Sequence, residues 1–189
     1  MGFLDALLGR SKPAKADLDV LFRVPQAALT LQAEGFEFTG HGAVCFRDAD
    51  GRADDELIAS AQEMIRTDPN AGVEMHHDEF GFTWLEVIRP TGDVSGLVTD
   101  LHAVNSTLAD QGFDAGLLCS TIVFEQDGRR LALVYLFKRG TFYPFVPEAG
   151  GVRRRDNPTE LQVRALVEKD IPVEADLGRW LAIWGAPGV

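Results

Sequence analysis

Cysteine is scarce in this chain, with Cys45 and Cys119 the two in 189 residues, each in an apolar strand-like segment with no second cysteine nearby. That count excludes a disulfide framework and reads as two small buried side chains in a reducing compartment. Long apolar runs are also missing. The longest, 117–124 and 131–137, are interrupted or far shorter than the roughly 20 residues needed to cross a bilayer, so no transmembrane helix is expected. Basic residues are few beside acidic ones, 18 Lys plus Arg against 29 Asp plus Glu, and the net charge of −11 repels phosphate backbones. No basic groove with interleaved aromatics offsets this, so nucleic acid is excluded as a partner. The one dense basic cluster, Arg153, Arg154 and Arg155, reads as a solvated face. Catalytic signatures are absent too: no Gly-x-Ser-x-Gly elbow, no phosphate-cradling glycine loop and no dinucleotide fingerprint occurs. No catalytic residue, cofactor or enzymatic activity is therefore expected.

What is present is the composition of an ordinary globular domain, 46% apolar and 25% charged. The start is distinctive. Phe3, Leu4, Leu7 and Leu8 are spaced to share one side of a short helix, and Arg10, Lys12 and Lys15 follow. Asp5 lies within the apolar stretch and no basic region precedes it, which argues against a secretory signal and for a cytoplasmic protein. Two readings stay open for this segment. It either folds onto the body as core, or docks on a partner or on the inner membrane face, where anionic lipid attracts each basic residue by about 1 kcal/mol. The expected organisation is an N-terminal apolar and basic segment, 1–16, and a single domain over 17–189.

Along the chain, Val24 and Pro25 are expected to end any helix begun at 17–22. Residues 27–31 read as a strand, as do 35–38 and 42–46, and Asp48 to Gly51 as a turn. Leu57, Ile58, Ala61, Met64 and Ile65 predict a helix over 54–66 with acidic residues at its start. Strands are expected over 73–75 and 80–88, the second placing Phe80, Phe82, Trp84, Glu86 and Ile88 on one face. Val94, Leu97, Val98, Leu101, Val104 and Leu108 form the cleanest helical stripe, with Asp93 as N-cap and Gly112 as terminator. Asp127-Gly128 between two apolar runs signals a hairpin, the second strand apolar on both faces, and Pro144 marks an edge strand. A helix is expected over 158–169, and Leu177, Trp180, Leu181 and Trp184 suggest a last short one. These elements define an α+β protein: a mostly antiparallel sheet with helices packed on one face. The order helix, strand, strand at 54–88 and again at 93–138 has the form of a degenerate internal duplication, without a residue-level repeat behind it.

One segment invites a metal or proton-relay hypothesis, His76-His77-Asp78-Glu79. Neighbours on a strand point to opposite faces, so His76 can pair with Asp78 and His77 with Glu79, but four ligands cannot converge. A polar turn between two strands accounts for the same residues, and no metal site is expected. His41, between two glycines, and His102, beside the helical stripe, carry no identified partner. A second functional class is a small-ligand or peptide-binding domain that uses the sheet near His76, Trp84 and Tyr135.

The whole pattern resembles the PspA-associated protein B family, of the actinobacterial type associated with phage-shock protein A. The resemblance rests on the start from Met1 to Arg10 with Lys12 and Pro13, on the length, on Gly42 to Phe46, and on the ending from Pro172 to Gly185. It implies a non-enzymatic accessory role in an envelope-stress response, with a PspA-like protein as partner. The contact residues it would engage are Phe3, Leu4, Leu7, Leu8, Arg10 and Lys12, with a peripheral site at the inner face of the cell membrane as a further expectation.

Overall fold

The computed structural model describes residues 17–47, 59, 60, 63, 71–150 and 153–189. The N-terminal docking residues Phe3 to Lys12, the turn from Asp48 and most of the helix expected over 54–66 lie outside the described residues.

A 3-10 turn, Leu18–Arg23, leads directly into α1, Val24–Ala33. The strand expected over 27–31 is part of this helix. Pro25 begins it rather than stopping it, because a first-turn residue needs no N–H and the ring's fixed φ already suits a helix. Leu21, Val24, Ala27, Ala28 and Leu31 recur at helical spacing and are buried. The helix closes on Gly35 at φ +89°, with the Phe36 amide donating to Leu31 O and the Gly35 amide to Gln32 O, both at 3.0 Å.

The sheet follows. β1 is Glu37–Phe46, β2 Gly72–His77, β3 Thr83–Ile88, β4 Leu117–Gln126, β5 Arg129–Leu136 and β6 Thr141–Phe145. Their order is β2-β3-β1-β4-β5-β6 and every pairing is antiparallel. The two strands expected at 35–38 and 42–46 are one strand with a register shift between Phe38 and Gly42. The β4–β5 hairpin turns at Asp127 (φ 50°) and Gly128 (φ 77°), the pair of positive φ values that a two-residue turn matching strand twist requires. Pro144 sits on β6 at the sheet edge, as expected.

Between β3 and β4 runs α2, Val94–Leu108, capped by Asp93 Oδ1 accepting from the Gly96 amide at 2.8 Å, and extended by a π-helical turn, Ala109–Phe113. α3, Asn157–Val167, is capped by Asp156, whose side chain accepts from the Thr159 amide. The last helix expected at the C-terminus is reduced to a single 3-10 turn, Leu177–Arg179, followed by irregular chain. The fold is thus α+β.

The strand alternation divides the apolar residues into two cores. Val44, Phe46, Leu85, Val87, Ile122 and Phe124 face α1, α2 and α3. Ala43, Cys45, Trp84, Cys119, Val134, Tyr143 and Phe145 face the other way, onto Trp180, Ile183 and Ala186 of the C-terminal segment. α2 lies so close to β1 that a Cβ at Gly42 would stand 2.8 Å from Leu97 Cδ2. Among the described residues no helix is long and apolar enough to cross a membrane.

Candidate functional site

Two polar arrangements lie on the sheet face opposite α1, α2 and α3. The first surrounds a cavity of about 1440 Å³. Cys45, Trp84, Cys119 and Tyr143 form part of its apolar wall, Phe80 and Phe82 stand on one side, and Leu181 to Trp184 close another. Among the described residues four cationic side chains line it, Arg47, Lys138, Arg139 and Arg179, the last two paired with Glu174 and Asp176, beside the carboxylate of Asp78. Arg47 stacks over the Phe82 ring at 5.1 Å. Lys138 Nζ donates to Ala115 O at 2.7 Å, and Arg139 Nε to Glu174 at 2.6 Å.

Asp78 organises the β2–β3 turn. Its Oδ1 accepts from the amides of Phe80 and Phe82, and its Oδ2 from the Trp84 indole, all at 2.9 Å. Burial pushes this carboxyl upward, but the indole and backbone N–H groups outweigh it and hold the group below the usual aspartate range. Glu174 behaves alike: burial raises it, while the Asp176 amide, Arg139 and Thr141 together bring it below its ordinary value.

Cys45 and Cys119 are direct cross-strand partners on β1 and β4, which corrects the expectation that neither has a second cysteine nearby; sequence separation hid what sheet register joins. Both are free and buried. The hydrogen bond to Cys119 and burial push the Cys45 thiol far above the ordinary cysteine range. Because the thiolate is the reactive form, Cys45 is expected to react with iodoacetamide at neutral pH more slowly than a free cysteine, by on the order of 100-fold, until denaturant is added. Mass spectrometry of timed samples checks this, and equal rates in native and unfolded protein would contradict the buried pair.

The second arrangement centres on Glu86 of β3. Its Oε1 accepts from His41 Nδ1 and its Oε2 from His76 Nε2, each at 2.7 Å. Glu74 Oε2 lies 3.8 Å from the same His76 nitrogen. One donor atom from each of Glu74, His76 and Glu86 lies within 4.8 Å of the others.

Of the residues singled out in the sequence, His76 and Trp84 share this face. Tyr135 points to the opposite one, where its hydroxyl donates to Asp17 O at 2.9 Å, and burial raises that phenol to about 12. His76 pairs with Glu86 rather than Asp78, and Glu79 pairs with Arg153 rather than His77. His77 contacts the Thr83 hydroxyl at 3.2 Å. Both histidines belong to β2 itself, and the polar turn begins after them. His41 and His102 do have partners, the latter in Asp19 at 3.4 Å and the Phe22 ring. Arg155 is no solvated residue: it donates to Glu160 at 2.9 Å, and also to Trp180 O. The signal that would have exposed Glu86 was its place two residues from Trp84 on an apolar strand, opposite Glu74 and His76 at alternate positions.

The fold and these clusters define an α+β protein whose sheet bears helices on one face and, on the other, a cavity and a histidine–carboxylate cluster partly roofed by its own C-terminal segment. This chain belongs to the PspA associated protein B family, whose sequence model matches residues 1–188. Comparison with curated proteins and with solved structures returns no match.

Proposed function

We propose that this chain is a non-enzymatic accessory protein of a PspA-type envelope-stress response. It acts in the cytoplasm by binding a PspA-like partner, or the inner membrane face, through Phe3, Leu4, Leu7, Leu8, Arg10 and Lys12. The observation that carries this reading is the family match over residues 1–188, which spans that N-terminal segment as well as the folded body. The pattern of the segment supports it: an apolar face followed by cations suits either an apolar groove on a protein or an anionic lipid surface. A segment this short binds weakly alone, so the body is expected to contribute.

The cavity favours a second reading, a regulatory domain for a small amphipathic molecule with an anionic end. Its apolar wall and the cationic side chains of Arg47 and Lys138, in a chain of net charge −11, are what supports that chemistry.

Size-exclusion chromatography with light scattering, on this protein mixed with the PspA homologue of the same genome, separates the two. Co-elution of the full chain, lost on deleting residues 1–15 with the melting temperature unchanged, is the expected result. Co-elution that survives the deletion, or a large loss of stability on deletion, would assign the segment to the core instead. Separate elution of both forms would remove the partner reading and leave lipid or the cavity as the binding function.

A further inference from the structure

On β2 and β3, Glu74 and Glu86 are direct cross-strand partners on the same face. Like charges so placed repel unless a cation lies between them. Glu86 is the costlier of the two, since its side chain is 7% exposed. His76 is the group that stands between, 2.7 Å from Glu86 Oε2 and 3.8 Å from Glu74 Oε2. We propose that Glu74, His76 and Glu86 bind one divalent transition-metal ion of borderline softness, such as Zn2+, with His41 as the residue that orients Glu86.

The donor set supports this assignment. One imidazole and two carboxylates are ligands that Zn2+ accepts, and two carboxylates cancel the ion's charge. Three protein ligands leave a fourth position of a tetrahedron for water. The open side is defined by exposure, with Glu74 and His76 facing solvent and Glu86 buried beneath them. Ligand atoms about 2.0–2.2 Å from an ion stand roughly 3.4 Å apart, against 2.7 Å for His76–Glu86 and 3.8 Å for His76–Glu74, with all three atoms within 4.8 Å of one another. The ion takes the place of the proton on His76 Nε2, which is released to solvent, while the ring keeps a proton on Nδ1. His41 Nδ1, 2.7 Å from Glu86 Oε1, stays on the oxygen that does not meet the metal and holds the carboxylate in place. The C-terminal segment buttresses this histidine, since a Cβ at Gly188 would stand 2.9 Å from His41 Cβ. The sheet supplies rigidity: the ligands come from paired strands, not from loops.

The test uses the full chain stripped with a chelator and titrated with Zn2+ by calorimetry and with Co2+ by visible absorption. One ion per chain is expected, with the intense Co2+ bands of four-coordinate geometry. His76→Ala and Glu74→Gln, both at solvent-facing positions and so compatible with folding, are expected to lose binding by 100-fold or more. His41→Gln is expected to weaken it by about 10–100-fold with the stoichiometry unchanged. Absence of saturable binding in the full chain would overturn the proposal and leave the cluster held by protons alone. Equal affinity in His76→Ala and the unmodified chain would overturn it as well, by locating the ion elsewhere.

Discussion

Replacing Glu160 by alanine is expected to lower the free energy of unfolding by about 3–5 kcal/mol, the usual consequence of removing one partner from a buried ion pair. The side chain is 2% exposed, and its Oε1 accepts from both Arg155 Nε and the Val146 amide at 2.9 Å. Arg155 is itself committed elsewhere: it donates to Trp180 O and lies over the Phe145 ring at 5.2 Å. Loss of the carboxylate leaves a guanidinium and a backbone N–H in a poorly hydrated place, and loosens three elements together, α3, β6 and the C-terminal segment. Glu160→Gln retains an acceptor and is expected to cost less. Arg154→Ala removes an ion pair with Glu148 whose arginine is 71% exposed, and should change stability by less than about 1 kcal/mol. Urea denaturation read as a shift in midpoint at constant slope decides the matter; equal effects from Glu160→Ala and Arg154→Ala would show that the network contributes nothing beyond a surface pair.

Deleting residues 177–189 is expected to be more damaging still. Trp180, Ile183 and Ala186 supply the outer layer of the second core, against Cys45, Trp84, Cys119, Tyr143 and Phe145. Trp180 also donates its indole N–H to Glu174 O at 3.0 Å, and Leu181 O accepts from the Tyr143 hydroxyl at 2.9 Å. Truncating one such aromatic costs about 3–5 kcal/mol, and a domain's whole stability is only about 5–15 kcal/mol. The deletion is therefore expected to yield a protein that unfolds near ambient temperature and binds a dye specific for exposed apolar surface. Trp180→Ala alone should account for most of one aromatic's share. A truncated chain with an unchanged melting temperature would mean that the second face of the sheet is stable when open to water.

These two effects lie in the part of the fold that sequence patterning reads least well. The long stripe of α2 was legible because its apolar residues repeat at the helical period and a capping aspartate precedes them. The hairpin at Asp127 and Gly128 was legible because few residue pairs tolerate its backbone. The helix at Val24–Ala33 is hidden from patterning because the effect of a proline depends on whether it falls in the first turn or the interior. In the C-terminal segment Leu177, Trp180, Leu181 and Trp184 share a helical period, yet its carbonyls satisfy Tyr143 and Arg155 across the fold instead of closing helical turns. Asp100 and Asn105, polar residues on the buried side of α2, carry no apolar signal at all. They are buried because Arg89 and Ser120 meet them from the sheet.

The histidine–carboxylate cluster follows the same division. The alternation of Glu74 with His76, and of Trp84 with Glu86, is a local property with period two, so the sequence by itself determined which residues share a face within each strand. It also determined the α+β class and the resemblance that the family match bears out. Only the tertiary structure decided that β3 lies between β1 and β2, which brings His41, Glu86 and His76 within hydrogen-bonding reach across 45 residues of chain. It likewise decided that Cys45 meets Cys119 and that the C-terminal segment covers the second core. Strand order and register arise from the packing of whole faces and are carried by no single segment, which is why periodicity could place residues on a face but not beside one another.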